Sequence, residues 1–335
     1  MASPNAHPPV SVILPVLNEE HHLKSAVDSV LAQKYPGQLE VLIALGPSRD
    51  KTDSVAKAIA KSDSRVRLIE NQDGRTTVGM NKCINLASHD YIVRVDAHSE
   101  LTDDYIRRGI EILLEVGADE LGGIMDAKGR SAFQKAVAWA YTSRFGVGGA
   151  SYHVGGAAGE AESAYMGIFK KSALMRVNGY DESIVRGEDW NLAQRIKTSG
   201  GLVWFTPELR VTYWPRGRFD RLVKQFWSTG VWRGDLTRRD IRGASIRYFA
   251  PPVLVLTLLA GLLYLAFGNL LGIVPLAGYL AAVAGLAVVS GGLSLKSRVA
   301  LMIALPTIHL SWGAGFIFGL LRGASKTIDR SRVTK

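Results

Sequence analysis

Residues 248–295 contain no Asp, Glu, Lys or Arg, and residues 299–321 contain none either, with His309 as their one ionisable side chain. Buried helices of a soluble core account poorly for so long a charge-free block. It divides into three apolar segments, 249–267, 271–291 and 299–321, each near the ~20 residues that cross a bilayer. The remainder of the 335 residues is charged and mixed in pattern. The sequence therefore predicts a globular α/β part followed by an all-α membrane anchor.

Charge places the anchor. Of the net +10, nine Lys or Arg lie between Arg216 and Arg247 against three acids, Asp220, Asp235 and Asp240. A basic stretch abutting an apolar block suits anionic headgroups better than nucleic acid, so membrane lipids are expected partners and nucleic acid is not. Lys296 and Arg298 follow the second segment, so the first two segments form a hairpin that returns to its starting side. A full third crossing would carry Arg322, Lys326, Arg330, Arg332 and Lys335 to the other side, against the positive-inside rule. Pro306 and Gly313–Gly315 offer a re-entrant or interfacial course instead, and the third segment stays open between the two. The N-terminus has no basic and apolar signal-peptide pattern. The expected location is the cytoplasmic (inner) membrane, multi-pass, with the polar part in the cytoplasm. The single cysteine, Cys83, permits no intramolecular disulfide and is expected in the core.

Before residue 216, apolar runs alternate with amphipathic ones. Strands are expected at Val10–Pro15, Leu39–Leu45, Val66–Glu70 and Tyr91–Val95, with helices between them. A further helix follows Asp104, then a Gly- and Ala-rich segment from Gly146 to Gly159. Closing strands are expected at Val203–Phe205 and Leu209–Tyr213. Alternation of this kind predicts a parallel sheet with helices on both faces, with ligands at the C-terminal ends of its strands.

Three sites carry chemistry. Asp96-Ala97-His98 follows the fourth strand, and a carboxylate and an imidazole two residues apart can face one divalent cation, Mn²⁺ or Mg²⁺. Alone the tripeptide is an ordinary surface turn; its place after the strand makes it informative. Glu188-Asp189 opens a helix expected at Trp190–Ser199. Acids there often only cap the helix, and the functional reading makes Asp189 a general base toward an acceptor hydroxyl. Gln225, Trp232 and Arg233 mix aromatics with a cation. They suit an interfacial helix, acceptor or diphosphate contact, or both.

In this order the sites resemble the family 2 glycosyltransferases of GT-A fold. The matching pieces are Ser11-Val12-Ile13-Leu14-Pro15-Val16-Leu17-Asn18-Glu19, Val93-Arg94-Val95-Asp96-Ala97-His98-Ser99 and Gly187-Glu188-Asp189, with Gly179-Tyr180-Asp181-Glu182 shortly before the last. Within the family the wording is most similar to bacterial exopolysaccharide glucosyltransferases of succinoglycan type. The resemblance implies a GT-A Rossmann-like mixed sheet with helices on both faces. It places Pro15, Leu17, Asn18 and Glu19 at the nucleotide, joined by Ser48, Asp50 and Asp96, with Asp96 and His98 at the metal and Asp189, beside Glu188, as catalytic base. Gln225, Trp232 and Arg233 match the Q-x-x-R-W pattern of processive synthases only in part, which favours single addition. One departure stands out: where the family has paired acids after the second strand, this chain has Leu45 and Gly46, so the base-reading contact has no counterpart.

The expected organisation is an N-terminal tail (1–8), a GT-A domain (9–215), basic amphipathic interfacial helices (216–247), two to three transmembrane segments (248–321) and a basic tail (322–335). The implied activity is that of a metal-dependent hexosyltransferase, acting by inverting transfer from a nucleotide diphosphate sugar, UDP-sugar favoured, to a polyprenyl diphosphate-linked saccharide. Arg144, Arg216 and Arg218 are expected phosphate contacts. The alternatives are a polyprenyl-phosphate sugar synthase and a catalytically inert scaffold of a sugar-lipid export complex.

Overall fold

The structure is a computed structural model and describes residues 7–241 and 244–324. The N-terminal tail before His7 and the basic tail from residue 325 onward lie outside the described residues. Packing divides the chain into two units: residues 1–126 with 155–213, and residues 127–154 with 214–335.

In the first unit the order is β1 (Val10–Val16), α1 (Leu23–Leu31), β2 (Leu39–Leu45), α2 (Thr52–Ser62), β3 (Val66–Glu70), α3 (Thr76–Leu86), β4 (Tyr91–Arg94), β5 (Ser99–Leu101), α4 (Tyr105–Val116) and β6 (Glu120–Ala127). Two helices of the second unit, α5 (Ala132–Tyr141) and α6 (Ser151–Val154), intervene. Then come β7 (Gly159–Glu160), β8 (Tyr165–Lys170), α7 (Lys171–Arg176), α8 (Glu188–Thr198) and β9 (Val203–Tyr213).

Among the described residues these strands form one sheet in the order β3-β2-β1-β4-β8-β6-β9-β5, with β7 on β9. β3, β2, β1 and β4 are parallel, as alternation predicts. β8 runs antiparallel to β4 and β6, and β5 antiparallel to β9, so the sheet is mixed and not wholly parallel. The two expected closing strands are one strand, β9, running through Pro207. β1 is buried throughout, as a central parallel strand covered on both faces must be. Cys83 is buried in α3, and burial pushes its thiol up to about 12, so it is a core side chain.

The second unit is helical: α5, α6, α9 (Phe219–Arg239), a 3-10 turn (Ile246–Phe249), α10 (Ala250–Ala266), α11 (Val274–Val289) and α12 (Leu295–Arg322). In place of an interfacial helix pair there is one long helix, α9, which buries eleven of its 21 residues. It packs on α12 through glycines four apart. A Cβ at Gly230 or Gly234 would run into the α12 backbone at Trp312 and Phe316, and one at Gly315 or Gly319 into the α9 backbone at Trp227 and Val231. Small residues at that spacing let two helix backbones approach closely. α10 and α11 are apolar around most of their circumference, with Leu256, Leu259, Leu263, Leu280 and Val288 among the exposed residues, as lipid-facing helices are. Among the described residues, three helices are long and apolar enough to cross a membrane: Ile246–Ala266, Leu270–Val289 and Leu295–Arg322. The third is a single helix through Pro306.

Candidate active site

The C-terminal ends of β1 and β2 are laced together. Asn18 takes φ 56°, a left-handed conformation that Asn tolerates better than most residues. Its N–H donates to Ser48 Oγ (3.0 Å), and its Oδ1 accepts from the Arg49 N–H (2.8 Å). The N–H of Glu19 donates to Thr52 Oγ1 (2.8 Å) and that of Glu20 to Asp50 (3.2 Å). Burial opposes ionisation of Asp50, but bonds from Thr52 and the Glu20 N–H outweigh it and hold the carboxyl below its ordinary range. Asn18, Glu19, Ser48 and Asp50 thus come together as expected, with Ser48 and Asp50 spent on shaping the loop. Pro15 lies within β1, buried and opposite Ala44, and not in the loop. Leu17 packs beside Gly46, one of the two positions where the paired acids are missing. A Cβ on Gly46 would stand 3.1 Å from Leu17 Cδ1 and 3.2 Å from the Val16 carbonyl oxygen, so a side chain there fits only if its neighbours give by a few tenths of an ångström.

The second cluster centres on Arg94, at the end of β4 and 4% exposed. Its Nε and Nη2 lie 3.2 and 3.1 Å from Asp96 Oδ1, and Nη2 lies 3.3 Å from Glu188 Oε1. Nη1 bonds Asp189 Oδ1 directly. Gly187, with φ 79°, turns the chain into α8 and puts both acids in its first turn. There the helix N-terminus favours negative charge. Trp190 Nε1 donates to Glu162 Oε1 (2.8 Å), anchoring that turn. Asp189 is the most open of the three carboxylates, its side chain 32% exposed against 14% for Asp96 and 15% for Glu188.

Behind the cluster, Asn81 clamps Tyr180 by accepting from its N–H (2.8 Å) and donating to its carbonyl (2.9 Å). The Tyr180 ring centroid lies 5.9 Å from the Arg94 guanidinium. Burial works against the charge of Arg94, but the fields of Asp96, Tyr180 and Glu188 prevail and hold its pKa above the usual value. Glu120, at the start of β6 and 1% exposed, is pushed up to about 8 by burial, against the Ala164 N–H and the charge of Arg94.

His98 sits beside the first loop, its Nδ1 3.4 Å from Glu19 Oε1 and its ring edge-on to Tyr213 at 6.1 Å. Among the described residues no three His, Cys, Asp or Glu side chains form a complete metal cage. Asp96 and His98 instead fit the sparse donor set of an ion that shares its shell with substrate phosphates.

The remaining sequence candidates belong to the second unit. Gln225 is buried in α9 and donates to Tyr141 Oη (3.0 Å), and Trp232 is 3% exposed. The Arg233 guanidinium stacks 4.4 Å from the centroid of Tyr248. Arg218 pairs on the surface with Asp220 (3.0 Å). Arg94, Tyr180 and Glu120 join the site in the folded chain without being among the residues that the sequence singles out for chemistry. The signal for Arg94 was a lone cation inside the apolar run Tyr91-Ile92-Val93-Arg94-Val95. Tyr180 lies in the Gly179–Glu182 piece that resembles the family, and nothing local marks Glu120.

Known proteins share this architecture. The family described as "Glycosyl transferase family 2" matches residues 11–176. Succinoglycan biosynthesis protein ExoA of Rhizobium meliloti (strain 1021) is 31% identical over 91% of this chain and 93% of its own length. A Methanococcus voltae dolichyl N-acetyl-alpha-D-glucosaminyl phosphate 3-beta-D-2,3-diacetamido-2,3-dideoxy-beta-D-glucuronosyltransferase is 24% identical over 94% of this chain and 98% of its own. The solved structure of a Pyrobaculum calidifontis mannosyltransferase, in complex with GDP-Man and Mn²⁺, superposes with a TM-score of 0.58 at 19% identity, covering 96% of this chain and 89% of that one. It shows the GT-A fold.

Proposed function

This chain belongs to glycosyl transferase family 2, and on that premise we propose that it is a membrane-anchored, inverting, metal-dependent hexosyltransferase. Its donor is a nucleotide diphosphate sugar, UDP-sugar favoured. Its acceptor is a saccharide on a polyprenyl diphosphate, in the assembly of a cell-surface polysaccharide or exopolysaccharide at the cytoplasmic face of the inner membrane. The observation that carries this reading is the joining of Asp96 and Asp189 through one buried guanidinium.

The laced loops at Asn18, Glu19, Ser48 and Asp50 receive the nucleotide. Asp189, the most exposed carboxylate on Arg94, takes the proton of the acceptor hydroxyl as that oxygen attacks the anomeric carbon. The bond to the donor diphosphate breaks on the opposite face, which inverts the configuration. Asp96 and His98 would hold Mn²⁺ or Mg²⁺, which offsets the charge on the departing diphosphate. Two relatives support the polymer and the lipid carrier by name: one acts in succinoglycan biosynthesis, the other on a dolichyl phosphate-linked sugar. The three apolar helices support delivery at a bilayer, and Gln225, Trp232 and Arg233 are proposed for the acceptor or diphosphate side.

The test incubates purified protein and Mn²⁺ with a panel of nucleotide sugars and sugar-primed polyprenyl diphosphates, read by mass spectrometry of the lipid. A lipid product one hexose heavier is expected. Transfer to unprimed polyprenyl phosphate alone would identify a polyprenyl-phosphate sugar synthase. No nucleoside diphosphate released from any donor would favour the inert scaffold.

A further inference from the structure

One buried guanidinium faces three carboxylates, those of Asp96, Glu188 and Asp189. The same Asp96 oxygen, Oδ1, is held by both Nε and Nη2 of the guanidinium. A cation approaching Asp96 meets a competitor already seated there, and that competitor also grips Asp189.

We propose that Arg94 is a positioning residue that couples cation occupancy at Asp96 to the placement of Asp189. Cation and guanidinium compete for the Asp96 carboxylate, so an arriving cation turns the charge of Arg94 toward Glu188 and Asp189. This rests on the reading of Asp96 as a cation ligand and Asp189 as the base. Arginine suits the task because its planar fork spans several carboxylates at once, whereas a lysine ammonium is a point charge. The Tyr180 ring centroid lies 5.9 Å from the guanidinium carbon. Coupling of this kind is reciprocal. A change at Asp189, not itself a cation ligand, must therefore alter cation affinity, and loss of Arg94 must strengthen it.

The test is a Mn²⁺ titration of the full-length protein in detergent, without donor, followed by electron paramagnetic resonance at 0.05 and 0.5 M KCl. Arg94→Gln should bind Mn²⁺ roughly tenfold more tightly than the native chain while its kcat falls about 100-fold or more. Asp189→Asn should bind it several-fold more weakly, because Arg94 then leans harder on Asp96. Arg94→Lys keeps the charge, so its affinity should stay within about threefold of native, with kcat still reduced. Both shifts should survive the higher salt, since a buried pair is poorly screened. A purely structural role would instead loosen Asp96 and weaken Mn²⁺ binding in Arg94→Gln. A folded Arg94→Gln with unchanged or weaker affinity, or an Asp189→Asn with unchanged or tighter affinity, overturns the coupling. Should Arg94→Gln fail to fold, the other two variants decide. A native chain that binds no Mn²⁺ at millimolar concentration removes the cation reading itself, which is a separate result.

Discussion

Arg94 and Asp189 are 95 positions apart in the chain and share a direct ion pair at the end of a strand and the start of a helix. Because the same guanidinium holds Asp96, the expected metal ligand and the expected base are neighbours in one buried network.

If Asp189 is the base, Asp189→Asn should lower kcat for a hydroxyl acceptor by about 10²–10⁴-fold and leave the donor KM near its native value. Steady-state kinetics on a primed lipid acceptor measure this. Near-native turnover would remove Asp189 from that role and favour a phosphate nucleophile, which arrives already charged.

Asn18 combines a left-handed backbone with a bond to the Arg49 N–H. Asn18→Ala loses both the tolerance and the acceptor, and should lose about 1–2 kcal/mol of stability along with a raised donor KM. Asn18→Gly keeps the backbone freedom and should be milder in chemical denaturation. Equal losses in the two variants would show that the backbone conformation contributes nothing.

Glu120 gives stability a pH dependence of definite sign. Its carboxyl is raised from 4.5 to about 8 in the folded chain, so between those values the folded state holds a proton that the unfolded state has released. The stability it contributes is complete below about pH 4.5 and is lost as pH rises toward about 8. Melting temperature should therefore fall across that window, and Glu120→Gln, neutral throughout, should flatten the decline. A decline of native size in the variant would assign the effect to another group.

The α9–α12 packing makes a graded prediction. Gly319→Ala drives a methyl into the Val231 carbonyl and should cost about 1–3 kcal/mol, seen as a lower melting temperature in detergent. Gly285→Ala on α11, where a Cβ meets nothing within 4 Å, should be neutral or slightly stabilising. Similar behaviour of the two would argue against close α9–α12 packing.

Much of the architecture is legible from local pattern. The charge-free block, the strand–helix alternation through β4 and the place of Asp96-Ala97-His98 all follow from periodicity and polarity within a few residues. The second half of the sheet is harder to read. β6 and β8 are glycine-containing runs, and their antiparallel pairing depends on partners distant in sequence. Composition alone predicts interfacial helices over 216–247, and the structure adds that α9 buries eleven of its 21 residues and packs on α12 through a glycine spacing of four. That spacing is visible in the sequence but has meaning only once its partner helix is known.

Sequence alone determined the three long apolar segments, the class of fold, the family and the three polar stations, since each is written in contiguous residues whose polarity and spacing restrict what they can form. Only the tertiary structure decided how the stations act together. A buried arginine has to find its counter-charges wherever the fold delivers them, and here they come from the turn just past its own strand and from a helix 94 residues further on. The physical reason is desolvation: out of water a guanidinium pairs with whatever carboxylates surround it, and which ones surround it is a property of the packed sheet, not of the string.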